Sequence, residues 1–187
     1  MSGNRSHLQY LLRVSVVGTS GSGKTTFARQ LAAILGSPCI ELDSLYWGAD
    51  WTPRADFRAR VDDALRGARW VVDGNYSSHV RDITWGRCTA IVWLDYSFAR
   101  TFGRGVWRTF SRIVTRERLY GGNREKLRNA LFDLEGIPFW ILRTYRKNRR
   151  TIPRDAARAE YAHARLIALH SPAEADALLE KLRLARA

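Results

Sequence analysis

The chain has 187 residues, a hydrophobic fraction of 45% and seven tryptophans, enough for one domain with a substantial core. No apolar run approaches the length of a membrane span, and the two cysteines, Cys39 and Cys88, are too far apart and too few for a disulfide framework or a metal cluster. The net charge of +13 favours polyanionic partners over acidic-surface or membrane-embedded roles.

Residues 1–7 lack the apolar core and small-residue cleavage site of a signal peptide, so a reducing, cytoplasmic location is expected. Residues 11–17 (Leu-Leu-Arg-Val-Ser-Val-Val) are short and β-branched, and predict a buried first strand. Directly after it comes Gly18-Thr19-Ser20-Gly21-Ser22-Gly23-Lys24-Thr25, which fits G-x-x-x-x-G-K-[ST] at every fixed position. From residue 24 to residue 35 apolar residues recur at helical spacing, and Gly36 stops the run.

Strand, glycine-rich loop and helix in that order make an anion nest. Successive backbone N–H groups turn inward, and the helix N-terminus adds partial positive charge. Lys24 is suited to the β- and γ-phosphates of a nucleoside triphosphate and Thr25 to its Mg²⁺, with Thr26 continuing the loop's contacts. ATP and Mg²⁺ are therefore the expected cofactors, and the lack of an Asn-Lys-x-Asp guanine motif argues against a GTPase-like switch.

Strand and helix signals alternate through the rest of the chain, which predicts a parallel sheet covered on both faces. A second strand is expected over 38–43 and an amphipathic helix around Phe57, Val61 and Leu65. A third strand is expected over 70–73, a fourth over 89–95, a fifth over 165–169 and a last helix over 172–184. Between the fourth and fifth strands runs a long basic helical region, broken near residues 120–123 and again near 136–138. The reading is one domain over 1–187 with 97–150 as a helical subregion.

Three aspartates, Asp43, Asp73 and Asp95, are expected at carboxyl ends of strands, where a parallel sheet forms its crevice. Asp73 suits the metal's water shell and Asp43 the orientation of a phosphate acceptor; Asp95, before Tyr96-Ser97, equally suits a helix start. Residues 100–150 hold fourteen Lys or Arg against four acids. Within them Arg100, Arg104, Arg108 and Arg112 recur every fourth residue, one slowly winding stripe on a helix, with Phe102, Val106, Phe110 and Ile113 as a second stripe able to pack on the body. Arg104 and Arg108, near the centre, suit the charge that develops on a transferring phosphoryl group. Trp47 is a candidate stacking residue for the acceptor, and Arg81 a candidate ligand for an acceptor phosphate. An alternative use of the basic segment is nucleic-acid binding gated by the nucleotide state.

Residues 16–26, Leu-Asp-Ser-Leu-Tyr-Trp (42–47), Trp-Val-Val-Asp-Gly-Asn-Tyr (70–76) and Ile-Val-Trp-Leu-Asp-Tyr (91–96) together resemble small bacterial P-loop kinases related to adenylate kinase, often labelled topology modulation proteins. The resemblance implies a three-layer α/β P-loop NTPase fold of the nucleoside/nucleotide-kinase type. Its five-stranded parallel sheet would have the order 2-3-1-4-5, with an Arg-rich helical lid after the fourth strand. It implies phosphoryl transfer from Mg-ATP to a small nucleotide, nucleoside or hydroxylated metabolite, and the label of these relatives implies the alternative, a nucleic-acid-binding P-loop ATPase that affects DNA topology. The third strand would then lie beside the first, which favours Asp73 over Asp95 near the metal. Where adenylate kinases carry Asp-Gly-Phe-Pro-Arg, this chain has Asn75-Tyr76-Ser77 after Asp73-Gly74, so the monophosphate-binding arginine is missing unless Arg54 or Arg81 stands in.

Overall fold

The computed structural model describes residues 11–115, 120–123 and 137–186. Five strands, β1 (Arg13–Gly18), β2 (Cys39–Glu41), β3 (Trp70–Asp73), β4 (Ala90–Leu94) and β5 (Arg165–Leu169), form one sheet in the order 2-3-1-4-5. Every pairing is parallel. Parallel strands need crossovers, and helices supply them: α1 (Lys24–Leu35), α2 (Leu42–Tyr46), α3 (Phe57–Ala64), α4 (Ser77–Arg87), α5 (Phe98–Thr115), α6 (Ile137–Ala156) and α7 (Pro172–Leu184).

Alternation along the central strands divides the core in two. Val14, Val16, Val71, Ala90, Val92 and Leu94 face α1 and α7, packing on Phe27, Leu31, Leu35, Leu179 and Leu182. On the opposite face Val17, Trp70, Val72, Ile91 and Trp93 meet Phe57 and Val61 of α3, Ile83 and Trp85 of α4, and Ile152 at the end of α6. That is the three-layer α/β arrangement expected from the alternating pattern.

Three local differences from the sequence expectations matter. Strand β2 stops at Glu41, and Asp43 is the second residue of α2, not the end of a strand. Helix α4 had no clear signal, because β-branched residues and Gly86 dilute its periodicity and Val80 interrupts it with φ −143°. The break expected near 120–123 is a 3-10 turn at Tyr120–Gly122, and α6 begins at Ile137. Of the basic segment, Arg116, Arg118, Arg124, Lys126 and Arg128 and all four of its acids lie outside the described residues, as do residues 1–7. Among the described residues no helix is long and apolar enough to cross a membrane.

Both cysteines are unpaired thiols. Burial, reinforced by Asp73 and Glu41, pushes Cys39 up to about 11, and burial pushes Cys88 up to about 12. Thiolate is the reactive form, so both should react with a disulfide reagent such as DTNB at pH 7.5 orders of magnitude more slowly in the native protein than in urea. Leu31 is fully buried between sheet and α7. Leu31→Ala should destabilise the fold by about 2–5 kcal/mol, read as a lower urea midpoint with an unchanged m-value.

Candidate active site

Strand β1 delivers the chain into the glycine-rich loop at the carboxyl edge of the sheet. Gly18, Gly21 and Gly23 hold φ values of 152°, 86° and 91°, and Gly23 in the left-handed region starts α1 at Lys24. Residues with a Cβ rarely adopt such values, so the glycines allow the turn that aims backbone N–H groups inward.

The register of β1 against β3 pairs Val16 with Asp73, which sets the Asp73 carboxylate beside the start of α1. There the Thr25 hydroxyl donates to Asp73 Oδ2 at 2.5 Å. Asp73 Oδ1 is buried with no hydrogen-bond partner. Burial raises the Asp73 carboxyl above its ordinary value, against the pull of Lys24 and the Thr25 bond. A hydroxyl and a buried carboxylate with a lone oxygen are hard ligands of the kind Mg²⁺ takes, so these two residues fit that ion.

Lys24 Nζ donates to Thr19 O at 3.3 Å. Burial pushes its ammonium below the ordinary lysine value; Asp73 and Asp43 oppose that shift and Arg108 adds to it. Asp73, Asp43 and Arg108 thus all act on the Lys24 charge.

Asp43 is exposed, and its Oδ1 accepts a bond from the Tyr76 hydroxyl at 2.6 Å. Burial and the neighbouring Asp43 push the Tyr76 phenol well above its ordinary value, so it remains a donor. Trp47 is half-buried and meets the edge of Tyr46 at 4.7 Å and of Trp51 at 5.6 Å. With Phe57 and His79 these rings form an aromatic cluster next to Asp43 in the chain.

Helix α5 crosses the loop on an unexpected face. The apolar stripe of Phe102, Val106, Phe110 and Ile113 was expected to pack on the body, yet Thr101, Gly105 and Thr109 are the buried residues and Phe110 is 47% exposed. Close approach explains it: a Cβ on Gly21 would sit 2.2 Å from Thr101 O and 2.9 Å from Gly105 N. Large side chains on that face would hold the helix away from the loop. At this separation Arg104 lies against Gly23, its Nη2 3.3 Å from where a Cβ would be. Arg108 lies close enough to act on Lys24, while Arg100 is exposed.

Other candidates are engaged elsewhere. Asp95 is buried and holds Arg149 Nε at 2.9 Å and His170 Nδ1 at 3.3 Å. Arg81 donates to Asp155 at 2.7 Å and lies 5.1 Å over the Trp85 ring, so its charge is already matched. Arg54 points back along its own loop, with Nε 3.4 Å from Trp47 O. Both guanidinium groups thus make contacts within the protein.

Several residues went unassigned in the sequence. Asn75 bonds both backbone groups of Gly18, and Asn148 of α6 donates to Thr19 Oγ1 at 3.3 Å. Glu41 ties Arg29 of α1 to the Tyr120 hydroxyl, with contacts of 2.6 Å on each side. Of these only Asn75 carried a signal, its place in the Asp-Gly-Asn-Tyr turn.

No family model matches the chain, and no curated protein matches it. Solved structures do. A shikimate kinase from Bacteroides thetaiotaomicron superimposes with a TM-score of 0.54 at 14% identity, over 92% of this chain and 97% of that one. A shikimate kinase from Acinetobacter baumannii, in complex with shikimate, gives 0.52 at 21% identity, over 96% and 95%. At these identities the likeness shows the fold: the chain has the architecture of small P-loop kinases.

The Arg81–Asp155 pair yields a pH prediction. Burial would raise Asp155, but Arg154 and Arg81 outweigh it and hold the carboxyl below its ordinary 3.8. A depressed native value stabilises the fold above the unfolded value, and that stabilisation is lost as pH falls through the native one. Arg81→Met should therefore cost about 1–3 kcal/mol at pH 7, less than a lone buried pair because Arg154 remains. The gap to wild type in urea unfolding should close below the ordinary carboxyl value.

Proposed function

We propose that the chain is an ATP-dependent phosphotransferase that moves the γ-phosphate of Mg-ATP to a hydroxyl of a small metabolite in the cytoplasm. The observation that carries this reading is the Thr25–Asp73 bond at the end of a complete phosphate loop, with a second carboxylate, Asp43, held by Tyr76 three residues further along the same segment. A nucleotide-binding switch has no need of a second, exposed carboxylate held by a tyrosine. A transferase does, because its acceptor must be oriented and relieved of a proton.

In this reading the loop amides and Lys24 hold the triphosphate, and Lys24 follows the charge onto the β–γ bridging oxygen. Thr25 and Asp73 would hold Mg²⁺, which when bound neutralises charge between the β- and γ-phosphates. Asp43, steadied by Tyr76, accepts the hydroxyl proton of the acceptor as its oxygen bonds to the γ-phosphorus and the bond to ADP breaks. Arg104 and Arg108 stabilise the equatorial oxygens. A hydroxylated metabolite is favoured over a nucleoside monophosphate for two reasons. Arg54 and Arg81 are both occupied within the protein, and one neighbour of the same fold holds shikimate, a small polyhydroxylated acid.

A second reading, nucleic-acid binding, draws on one observation: α5 and α6 carry ten Lys or Arg, and their single acid, Asp155, is buried and paired. Micromolar duplex affinity falling steeply with salt would favour it, and no binding at about 0.1 M salt would remove it.

The test is a screen of sugars, hydroxy acids, nucleosides and nucleotides for stimulated ADP release from Mg-ATP. With a stimulating acceptor in hand, Lys24→Ala should lower turnover at least a hundredfold while the circular dichroism spectrum and melting temperature stay near wild type. Asp43→Asn should lower turnover by a similar factor with MgATP affinity within about threefold of wild type. Full activity in Lys24→Ala, or no stimulation by any acceptor class, would end the kinase reading.

A further inference from the structure

The four residues that leave β3 touch each part of the site in turn. Asp73 accepts the Thr25 hydroxyl at the far end of the loop. Gly74, with φ 142°, turns the chain so tightly that a Cβ would lie 2.9 Å from Leu42 Cβ. Asn75 then faces Gly18: its Oδ1 accepts the Gly18 N–H at 3.0 Å, and its Nδ2 donates to Gly18 O at 2.5 Å. Tyr76 reaches Asp43.

Gly18 is where β1 ends and the phosphate loop begins. A primary amide matches both groups of that residue in one orientation alone; flipped, it would set oxygen against oxygen and N–H against N–H. Through Asn75 the first residue of the loop is tied to the same short segment that holds its last, Thr25. An eight-residue loop pinned at both ends to one turn keeps its N–H groups aimed inward. Freed at one end, it pays conformational entropy each time it closes on phosphate.

We infer that Asn75 is a positioning residue for the triphosphate, acting through Gly18 and not by touching the ligand. This rests on the proposed nucleotide site and adds to it a residue outside the loop motif. The effect belongs to the phosphates, so it should be equal for a nucleotide and for a bare polyphosphate chain.

The experiment measures dissociation constants of the full chain for MgATP and for inorganic tripolyphosphate by calorimetry at 25 °C, with melting followed by circular dichroism. Asn75→Ala should weaken both ligands by about tenfold or more, the equivalent of one to two hydrogen bonds. Asn75→Ser, a smaller perturbation that still cannot bridge both Gly18 groups, should show the same loss if the alanine variant does not fold. A variant that melts earlier yet binds both ligands within twofold of wild type shows a merely structural tie and overturns the inference. So does weakened MgATP with unchanged tripolyphosphate. Wild type that binds neither ligand overturns the nucleotide site itself, a result distinct from wild-type binding that survives loss of Asn75.

Discussion

Parallel pairing of β1 with β3, with Val16 opposite Asp73, governs where everything at the site falls. From that register Asp73 reaches Thr25, Asn75 reaches Gly18 and Tyr76 reaches Asp43, each across a connection that no local sequence pattern specifies. Side chains alternate along a strand, so a slip of one residue would send Asp73 to the opposite face and Val72 to the loop. The register is strongly held because both faces of these strands are buried: Val71 packs toward α1 and α7, and Trp70 and Val72 pack the other way. Hydrophobic burial far from the chemistry thus positions the carboxylate that the proposed metal site needs.

A second constraint is distance of approach. A helix that brings arginines to a phosphate loop must come close to its backbone, and backbone contact leaves no room for large side chains. Thr101, Gly105 and Thr109 meet that requirement on α5, and Gly21 meets it on the loop. The same choice displaces the helix's large apolar residues outward, which leaves Trp107 at 70% exposure and Val114 at 65%. Packing energy that a larger buried face would have contributed is given up for proximity, a trade usual where function rather than stability sets the geometry.

What the sequence made legible follows from the range of the forces involved. The phosphate loop is a local object: glycine spacing, a following helix and a preceding strand all lie within 25 residues, and they could be read directly. Asp73 stood out because it closes an apolar strand, but Asp95 directly follows another and holds Arg149 and His170 instead. The order of the strands was not in the pattern of residues but in the likeness to P-loop kinases. Asp43 was placed on a strand end because Cys39, Ile40 and Leu42 read as a continuous apolar run, whereas the sheet edge releases the chain at Glu41 and α2 takes over. Arg81 looked available because its partner, Asp155, lies 74 positions away on α6. Asn148 was invisible as a site residue for the same reason, and Asn75 showed only its place in a turn, since an amide states nothing about its target until the fold supplies one. The stripe on α5 was read by size, large apolar inward, when the loop demanded small.

The two carboxylates of the site sit in opposed environments, and that difference divides their labour. Asp73 is 6% exposed, with one oxygen bound by Thr25 and the other unbonded inside the protein. Burial works against its charge, and Lys24, itself pushed down by burial, offsets part of the cost. Such a group gains most from a small cation placed against its unbonded oxygen, because a charge in a low-dielectric setting attracts its counter-ion more strongly than one in water. Asp43 stands at the surface with one oxygen held by Tyr76, a poor environment for stripping water from a metal and a better one for meeting a hydroxyl. Environments that separate two acids in this way suit the proposed division, one acid for electrostatics and the other for proton handling. On that division, metal and acceptor compete for neither group, and the donor and acceptor halves of the site are joined by the short turn from Asp73 to Tyr76.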